Sequence, residues 1–151
     1  MDPFIKEIQQ INTVEDAINK LNTQTEITPK LNEIINFIIE AHEGQYRKSG
    51  EPYCVHPILV ASITAHFSKD EAIIATALLH DVVEDTHFSL EYVKETWGSD
   101  IAHMVDGLTK IVEIREHEFI ASNDASDSKI ISSALTFRKM LIASIDDVRV
   151  L

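Results

Sequence analysis

The chain has 151 residues, of which 44% are hydrophobic and 25% are charged, with only four glycines and four prolines. This length is enough for one domain with its own hydrophobic core, and the low turn content favours helices over a β-sandwich. The formal charge of −12 argues against nucleic-acid binding, and the single cysteine, Cys54, excludes an internal disulfide.

Targeting and membrane signals are missing from the sequence. The N-terminal stretch MDPFIKEIQQ lacks the cationic and then apolar run of a signal peptide. No apolar stretch approaches the ~20 residues that a membrane-spanning helix needs. A lone cysteine suits a reducing compartment, so we expect a cytoplasmic protein that binds no membrane.

The first half of the chain predicts three helical segments and a loop. Residues 3–21 indicate one or two short amphipathic helices, and residues 22–27 a polar connection. Thr28-Pro29 is a helix-start signal for a helix to about His42. The stretch GQYRKSGEPYCVHP then holds two of the four glycines and two of the four prolines, and it predicts a functional loop. Pro57 should open the next helix, ending near Phe67.

The second half predicts further helices. Ser68 and Glu71 form a capping-box pattern for a helix to about Glu84. Ser89 and Gly98 mark the ends of a short helix, and Asp100 should begin another, to about Gly107. Residues 113–129 are polar and predict a mobile connection, although the first part of the segment could extend a helix. The helical pattern returns from residue 130. The final VRVL is typical of the start of a buried element, so we expect a truncated domain.

The segment EAIIATALLHDVVED carries the strongest chemical signal. It is apolar on every side through Val83, which predicts a central, buried helix. Four ionisable residues lie near its end: His80, Asp81, Glu84 and Asp85. At helical spacing their side chains span an arc of roughly 140° on one side of the helix. Such side chains are costly to bury unless they bind a cation or are well paired. His56, at a predicted helix start, would complete a three-ligand site with positions open for water.

These residues also have ordinary interpretations. A lone histidine usually packs or lies on the surface, and we apply that reading to His42, His66, His87, His103 and His117. By the same logic Arg47 and Lys48 could be a solvated loop tip, and Tyr53 and Cys54 could simply pack the loop. The HDxxED pattern on an apolar helix, with the HP pair and the basic loop before it, favours the metal site.

The strings AHEGQYRKSGEPYCVHP, ATALLHDVVEDT and DGLTKI resemble the hydrolase domain of the long Rel/SpoT-type alarmone enzymes. The resemblance covers roughly residues 30–151 and places the chain in the HD superfamily. It implies an all-α fold, a bound Mn²⁺ ion, and hydrolysis of the 3′-pyrophosphate of guanosine tetra- or pentaphosphate. The products would be GDP or GTP and pyrophosphate. The ligand types leave another divalent transition metal as the alternative to Mn²⁺.

The resemblance also implies roles for individual residues. Three sets follow by match: the metal ligands His56, His80 and Asp81; the acidic pair Glu84 and Asp85, which positions and activates water; and the nucleotide-binding Arg47, Lys48 and Ser49. Two local cations and a metal would offset the repulsion that the net charge exerts on a phosphate substrate. Lys110 could face the same pocket or be a surface lysine.

The sequence departs from the family pattern near its end. The fourth metal ligand of the family, in a motif of the form D-R-L-H-N, is absent, and Asp146 and Asp147 are poor substitutes by position. The synthetase domain that follows in the long enzymes is absent too. We therefore expect one hydrolase domain over residues 1–151, with a helical extension at residues 1–28 and impaired turnover.

Two other functions stay open. The chain could be a regulatory HD module that binds nucleotide without turnover, or an HD phosphohydrolase for another nucleotide. The loop RKSGEPY favours the alarmone hydrolase over the latter.

Overall fold

The computed structural model describes residues 3–108, apart from the side chain of Ile5. Within that range lie seven bounded helices: α1 Pro3–Gln9, α2 Val14–Gln24, α3 Pro29–Ala41, α4 Val55–Phe67, α5 Glu71–Leu79, α6 Val82–Asp85 and α7 Leu90–Trp97. Residues 99–108 are helical as well. These residues contain no strand, so the predicted all-α class is confirmed. The predictions for Lys110, residues 113–129, the helical pattern from residue 130, and Asp146 and Asp147 lie outside the described residues.

Local capping signals place several helix ends where the sequence predicts them. Leu31 N donates to Thr28 Oγ1 (3.2 Å), and Pro29 follows as the first helical residue of α3. Tyr92 N donates to Ser89 Oγ (3.1 Å) at the start of α7. That helix ends at Gly98, whose φ of 107° is one that other residues rarely adopt.

Two helix boundaries in the structure differ from the predicted ones. Helix α2 continues to Gln24 instead of ending near residue 21, with Leu21 buried on its inner face. Helix α4 begins at Val55, before Pro57, and the buried Cys54 is its N-cap without a side-chain capping bond. Proline tolerates this because the first-turn N–H groups of a helix have no intrahelical acceptor.

The predicted capping box at Ser68 and Glu71 is wrong. Asp70 is the N-cap of α5, and its Oδ1 accepts from Ala72 N (2.9 Å) and Ile73 N (3.3 Å). Ser68 Oγ instead accepts from Asp70 N (3.3 Å). An aspartate at this position satisfies two helix N–H groups and also places negative charge at the positive end of the helix dipole.

The helix predicted to run to Glu84 is also interrupted. Helix α5 ends at Leu79, and α6 begins at Val82. Between them, His80 Nδ1 bonds to Ala77 O (2.6 Å), so a side chain satisfies a carbonyl in the last turn of α5. The bend therefore falls at the His80-Asp81 pair.

Helices α4 and α5 form the centre of the described fold. Residues 57–65 of α4 and residues 73–79 of α5 are all buried, as the unbroken apolar pattern of α5 predicts. Helix α2 packs on α4, while α3 packs on α5. The N-terminal helices add Ile8, Ala17 and Leu21 to the same core. The candidate site lies where the two central helices approach each other.

Candidate active site

Three side chains predicted as metal ligands come together. His56 is the second residue of α4, and His80 and Asp81 form the bend after α5. His80 Nε2 lies 3.1 Å from Asp81 Oδ1, and His56 Nε2 lies 3.9 Å from Asp81 Oδ2. One ligand atom from each residue falls within 4.8 Å of the others, so this group could hold one metal ion.

The tautomer of His80 suits a metal ligand. Ala77 O can only accept a hydrogen bond, so the Nδ1 atom 2.6 Å away carries the hydrogen. Nε2 is then the ring atom that faces Asp81. Metal-binding histidines commonly have this arrangement, in which one nitrogen donates to a backbone carbonyl and the other binds the ion.

Asp81 provides the second sign that a cation fits here. Its carboxylate is buried, and Oδ2 makes no hydrogen bond within the described part of the chain. Asp81 Oδ1 is paired with His80, and a bound cation would give the buried Oδ2 a partner as well. Two imidazoles and a carboxylate are a donor set that divalent transition metals accept.

Charge pairing controls protonation within this group. Burial lowers the pKa of His80, but the negative charge of Asp81 and hydrogen bonding outweigh burial and raise the pKa to about 9. Burial raises the pKa of Asp81, but the charge of His80 and its hydrogen bond hold the pKa of that carboxyl well below its usual range. In the metal-free protein the two residues therefore form an ion pair at neutral pH.

Two further carboxylates extend this group towards solvent. Glu84 and Asp85 are exposed residues of α6, one helical turn beyond the bend. Ligand atoms of Asp81, Glu84 and Asp85 also lie within 4.8 Å of one another. The structure thus places the predicted acidic pair beside the predicted ligands, at the solvent side of the site.

Tyr53 is a site residue that the sequence reading missed. Its Oη donates to Asp85 Oδ2 (2.8 Å), although we expected Tyr53 only to pack the loop. Burial raises the pKa of the Tyr53 hydroxyl, and the charges of Asp81 and Asp85 raise it further. Tyr53 is therefore a hydrogen-bond donor here and not a base.

Gln45 and His42 are two further contacts that the sequence reading missed. Gln45 Nε2 donates to the backbone carbonyl of Asp85 (2.8 Å), and Gln45 Oε1 lies 3.0 Å from His42 Nδ1. His42 is buried, in line with our reading of it as a packed residue. Its bond to Gln45 goes beyond packing, because it links the end of α3 to the acidic pair.

The basic loop, the segment that carries Arg47, Lys48 and Ser49, is a closed turn. Arg47 N donates to Glu51 O (3.0 Å), Gly50 N donates to Arg47 O (2.9 Å), and Gly50 has a φ of +101°. Ser49 Oγ donates to Glu51 Oε1 (2.8 Å), an oxygen that also lies 3.7 Å from Arg47 Nε. Lys48 is exposed. Arg47 and Ser49 therefore share Glu51 as a partner, while Gln45 and Tyr53 connect this loop to Asp85.

The fold and the site together define an all-helical domain with a histidine–aspartate candidate metal centre. The chain belongs to the HD-domain family: a family model described as HD domain matches residues 35–151. The matched span includes the bend at His80 and Asp81 and the basic loop.

Several curated proteins resemble this chain. A GTP pyrophosphokinase of Myxococcus xanthus is 49% identical over 112 residues, covering 74% of this chain and 14% of that protein. A guanosine-3′,5′-bis(diphosphate) 3′-pyrophosphohydrolase of Haemophilus influenzae is 42% identical over 111 residues, covering 74% of this chain and 15% of that protein. The bifunctional (p)ppGpp synthase/hydrolase SpoT of Escherichia coli K12 is 38% identical over 112 residues, covering 74% and 14%.

The chain thus spans about one-seventh of the length of these relatives. Among the described residues, none of the helices has the length and apolar character needed to cross a membrane.

Proposed function

We propose that this domain hydrolyses the 3′-pyrophosphate of guanosine tetra- or pentaphosphate, with a divalent ion, Mn²⁺, held by His56, His80 and Asp81. The observation that carries the proposal is the buried His56–His80–Asp81 group, with an Asp81 oxygen that lacks a hydrogen bond and with Glu84 and Asp85 beside it. Relatives named as 3′-pyrophosphohydrolases support the substrate class.

In the proposed mechanism, His56, His80 and Asp81 would hold a divalent ion, which would offset phosphate charge and make a nearby water more acidic. Asp85 or Glu84 accepts one proton as water attacks the phosphorus that is bonded to the ribose 3′ oxygen. The bond from that phosphorus to the 3′ oxygen breaks, pyrophosphate leaves, and the 3′ oxygen takes up a proton from solvent. Both carboxylates lie at the solvent-facing edge, where water can enter. Tyr53 holds one Asp85 oxygen in place through its hydroxyl. The other oxygen of Asp85 is then the one available for the proton.

Arg47, Lys48 and Ser49 are proposed to bind the nucleotide. The planar guanidinium of Arg47 can stack on the guanine base, and Lys48 can offset phosphate charge. In the free domain Glu51 contacts both Arg47 and Ser49, which holds the two side chains within one turn. Local cations are needed because the formal charge of the chain is −12, which would repel a phosphate substrate.

The proposal also covers the wider setting of the domain. Residues 1–151 would be one hydrolase domain, with residues 1–28 as a helical extension whose Ile8, Ala17 and Leu21 join the common core. A synthetase domain would follow in a longer protein, as the name of the Escherichia coli relative indicates for that protein. Such an enzyme would act in the cytoplasm.

The test is pyrophosphate release from guanosine tetraphosphate, with Mn²⁺ and with a chelator. Two proteins are compared, this chain and a chimera. In the chimera, the chain is followed by the segment that comes after the matched region in the Myxococcus xanthus relative. We expect Mn²⁺-dependent release by the chimera and weaker release by the chain alone, because the sequence lacks the family's D-R-L-H-N motif. Asp81→Asn in both proteins is the matched control and should abolish release.

Other outcomes identify the alternative functions. Binding of guanosine tetraphosphate to folded, metal-loaded protein without release from either version would contradict the hydrolase proposal and favour a regulatory module. Release of phosphate or pyrophosphate from a different nucleotide, with guanosine tetraphosphate untouched, would instead indicate another HD phosphohydrolase.

A further inference from the structure

The orientation of the Gln45 side chain follows from what its partners can do. Asp85 O is a carbonyl and can only accept, so the amide nitrogen of Gln45 faces it, at 2.8 Å. The amide oxygen of Gln45 then faces His42 Nδ1, at 3.0 Å. That oxygen can only accept as well, so His42 Nδ1 carries the hydrogen. Asp85 O and the Nδ1–H group of His42 therefore favour the same orientation of the Gln45 amide.

The surroundings of His42 support this role. The residue is 3% exposed, and its ring lies 4.8 Å from the ring of Tyr53. Its Nε2 atom is buried and makes no hydrogen bond within residues 3–108. A ring with its hydrogen on Nδ1 and none on Nε2 fits both atoms, and it leaves the bond to Gln45 as the polar contact through which His42 acts.

The position of Asp85 depends on contacts from residues outside its own helix. It is the last residue of α6, a helix of only four residues, and its carbonyl is among those that a helix end leaves without an intrahelical donor. A helix this short is not stable on its own. Gln45 holds the backbone of Asp85, and Tyr53 holds its carboxylate. Tyr53 N also donates to Gln45 O (2.9 Å), so the two supports are joined to each other.

We infer that Gln45, held in its orientation by His42 and by Asp85 O, is a positioning residue that fixes Asp85 as the member of the acidic pair that accepts the proton. The inference rests on the proposed hydrolase function and adds two residues outside the predicted metal, acidic and nucleotide-binding sets. Gln45 acts through Asp85 and not on the nucleotide. Its loss should therefore lower kcat and leave KM and metal affinity almost unchanged.

The primary test measures kcat, KM and Mn²⁺ affinity for Gln45→Met in the chain or chimera that turns over. Methionine keeps the length of the side chain and removes the donor. We expect kcat to fall about tenfold or more, because small displacements of a reacting group are costly, with KM within about threefold. Gln24→Met is the matched control, because Gln24 Oε1 lies 2.9 Å from His66 Nδ1 in a similar pair that joins α2 to α4, and it should retain the wild-type kcat.

The role of His42 is tested by rescue. In His42→Asn the amide nitrogen occupies the position of Nδ1 and can still donate to Gln45, whereas His42→Leu has similar bulk and no donor. We expect His42→Asn to keep most of the wild-type kcat and His42→Leu to lose as much as Gln45→Met. A purely structural role for the ring would give equal losses in both variants.

Nitrogen chemical shifts of the His42 ring give a readout independent of activity. They should show hydrogen on Nδ1 and none on Nε2 in the wild type. An Nε2–H tautomer, or a wild-type kcat in Gln45→Met, would overturn the inference while leaving the hydrolase function in place. A wild-type protein that hydrolyses nothing would contradict the hydrolase function itself, and with it the role of Gln45 in turnover.

Discussion

Tyr53 and Asp85, which are 32 residues apart in the sequence, meet through a hydrogen bond of 2.8 Å from the tyrosine hydroxyl to carboxylate Oδ2. Tyr53 belongs to the loop that carries Arg47, Lys48 and Ser49, and Asp85 belongs to the acidic pair. This bond therefore joins the segment proposed to bind nucleotide to the residue proposed to accept a proton.

Tyr53→Phe removes only this hydroxyl. We expect the free energy of unfolding to fall by about 1 kcal/mol, the usual net value of such a bond. We expect kcat for pyrophosphate release to fall about tenfold, because the Asp85 carboxylate is no longer held. Urea titration and steady-state kinetics provide the two measurements.

The control for this variant is Tyr92→Phe. Tyr92 lies on α7 and is 39% exposed, so loss of its hydroxyl should change neither quantity. Equal kinetics in Tyr53→Phe, Tyr92→Phe and the wild type would show that the Tyr53–Asp85 bond has no part in turnover.

Metal binding should release protons at pH 7.5. The pKa of His80 is raised to about 9, so its ring is protonated at this pH and must lose a proton before Nε2 can bind an ion. Asp81, whose pKa lies below its usual range, is already ionised and contributes none. Affinity should therefore rise with pH until His80 is neutral, near pH 9.

Titration calorimetry with Mn²⁺ in Tris and in HEPES at pH 7.5 measures this release, because the two buffers differ in ionisation enthalpy. The difference in apparent enthalpy should correspond to about one proton per ion. Equal apparent enthalpies after correction for metal–buffer binding would mean that His80 is already neutral in the free protein.

The N-cap of α5 can be tested by stability alone. Asp70→Ala removes the acceptor for Ala72 N and Ile73 N and should lower the free energy of unfolding by about 1 kcal/mol. Ser68→Ala, at the position that the capping-box pattern favours, should change it by less than about 0.5 kcal/mol. A larger loss in Ser68→Ala than in Asp70→Ala would restore the capping-box assignment.

Much of the fold could be predicted because its signals are local. Helix ends are marked by contacts within three or four residues, as at Thr28-Pro29, Ser89 and Gly98. The apolar pattern of α5 indicates its central position. The capping box failed at Ser68 because Asp70, two residues later, offers a better acceptor. The bend at His80 was missed because the apolar pattern continues through it; in the structure a side-chain bond from His80 to Ala77 accompanies the bend.

The site was predictable to the extent that its residues lie in short motifs. His80 and Asp81 are adjacent, and Glu84 and Asp85 follow within one turn. Gln45 and Tyr53 reach Asp85 across 40 and 32 residues, so no spacing in the sequence indicates those bonds. They become visible only when the basic loop is packed against α6.

The central claim is that His56, His80 and Asp81 hold the ion that serves hydrolysis, and anomalous diffraction tests it most directly. Crystals of the chain grown with Mn²⁺ would be measured on both sides of the manganese absorption edge. We expect one strong anomalous peak within bonding distance of His56 Nε2, His80 Nε2 and the Asp81 carboxylate. A peak on Asp81, Glu84 and Asp85, away from both histidines, would contradict the claim. The absence of a peak from crystals of protein that contains one bound Mn²⁺ per chain would contradict it as well.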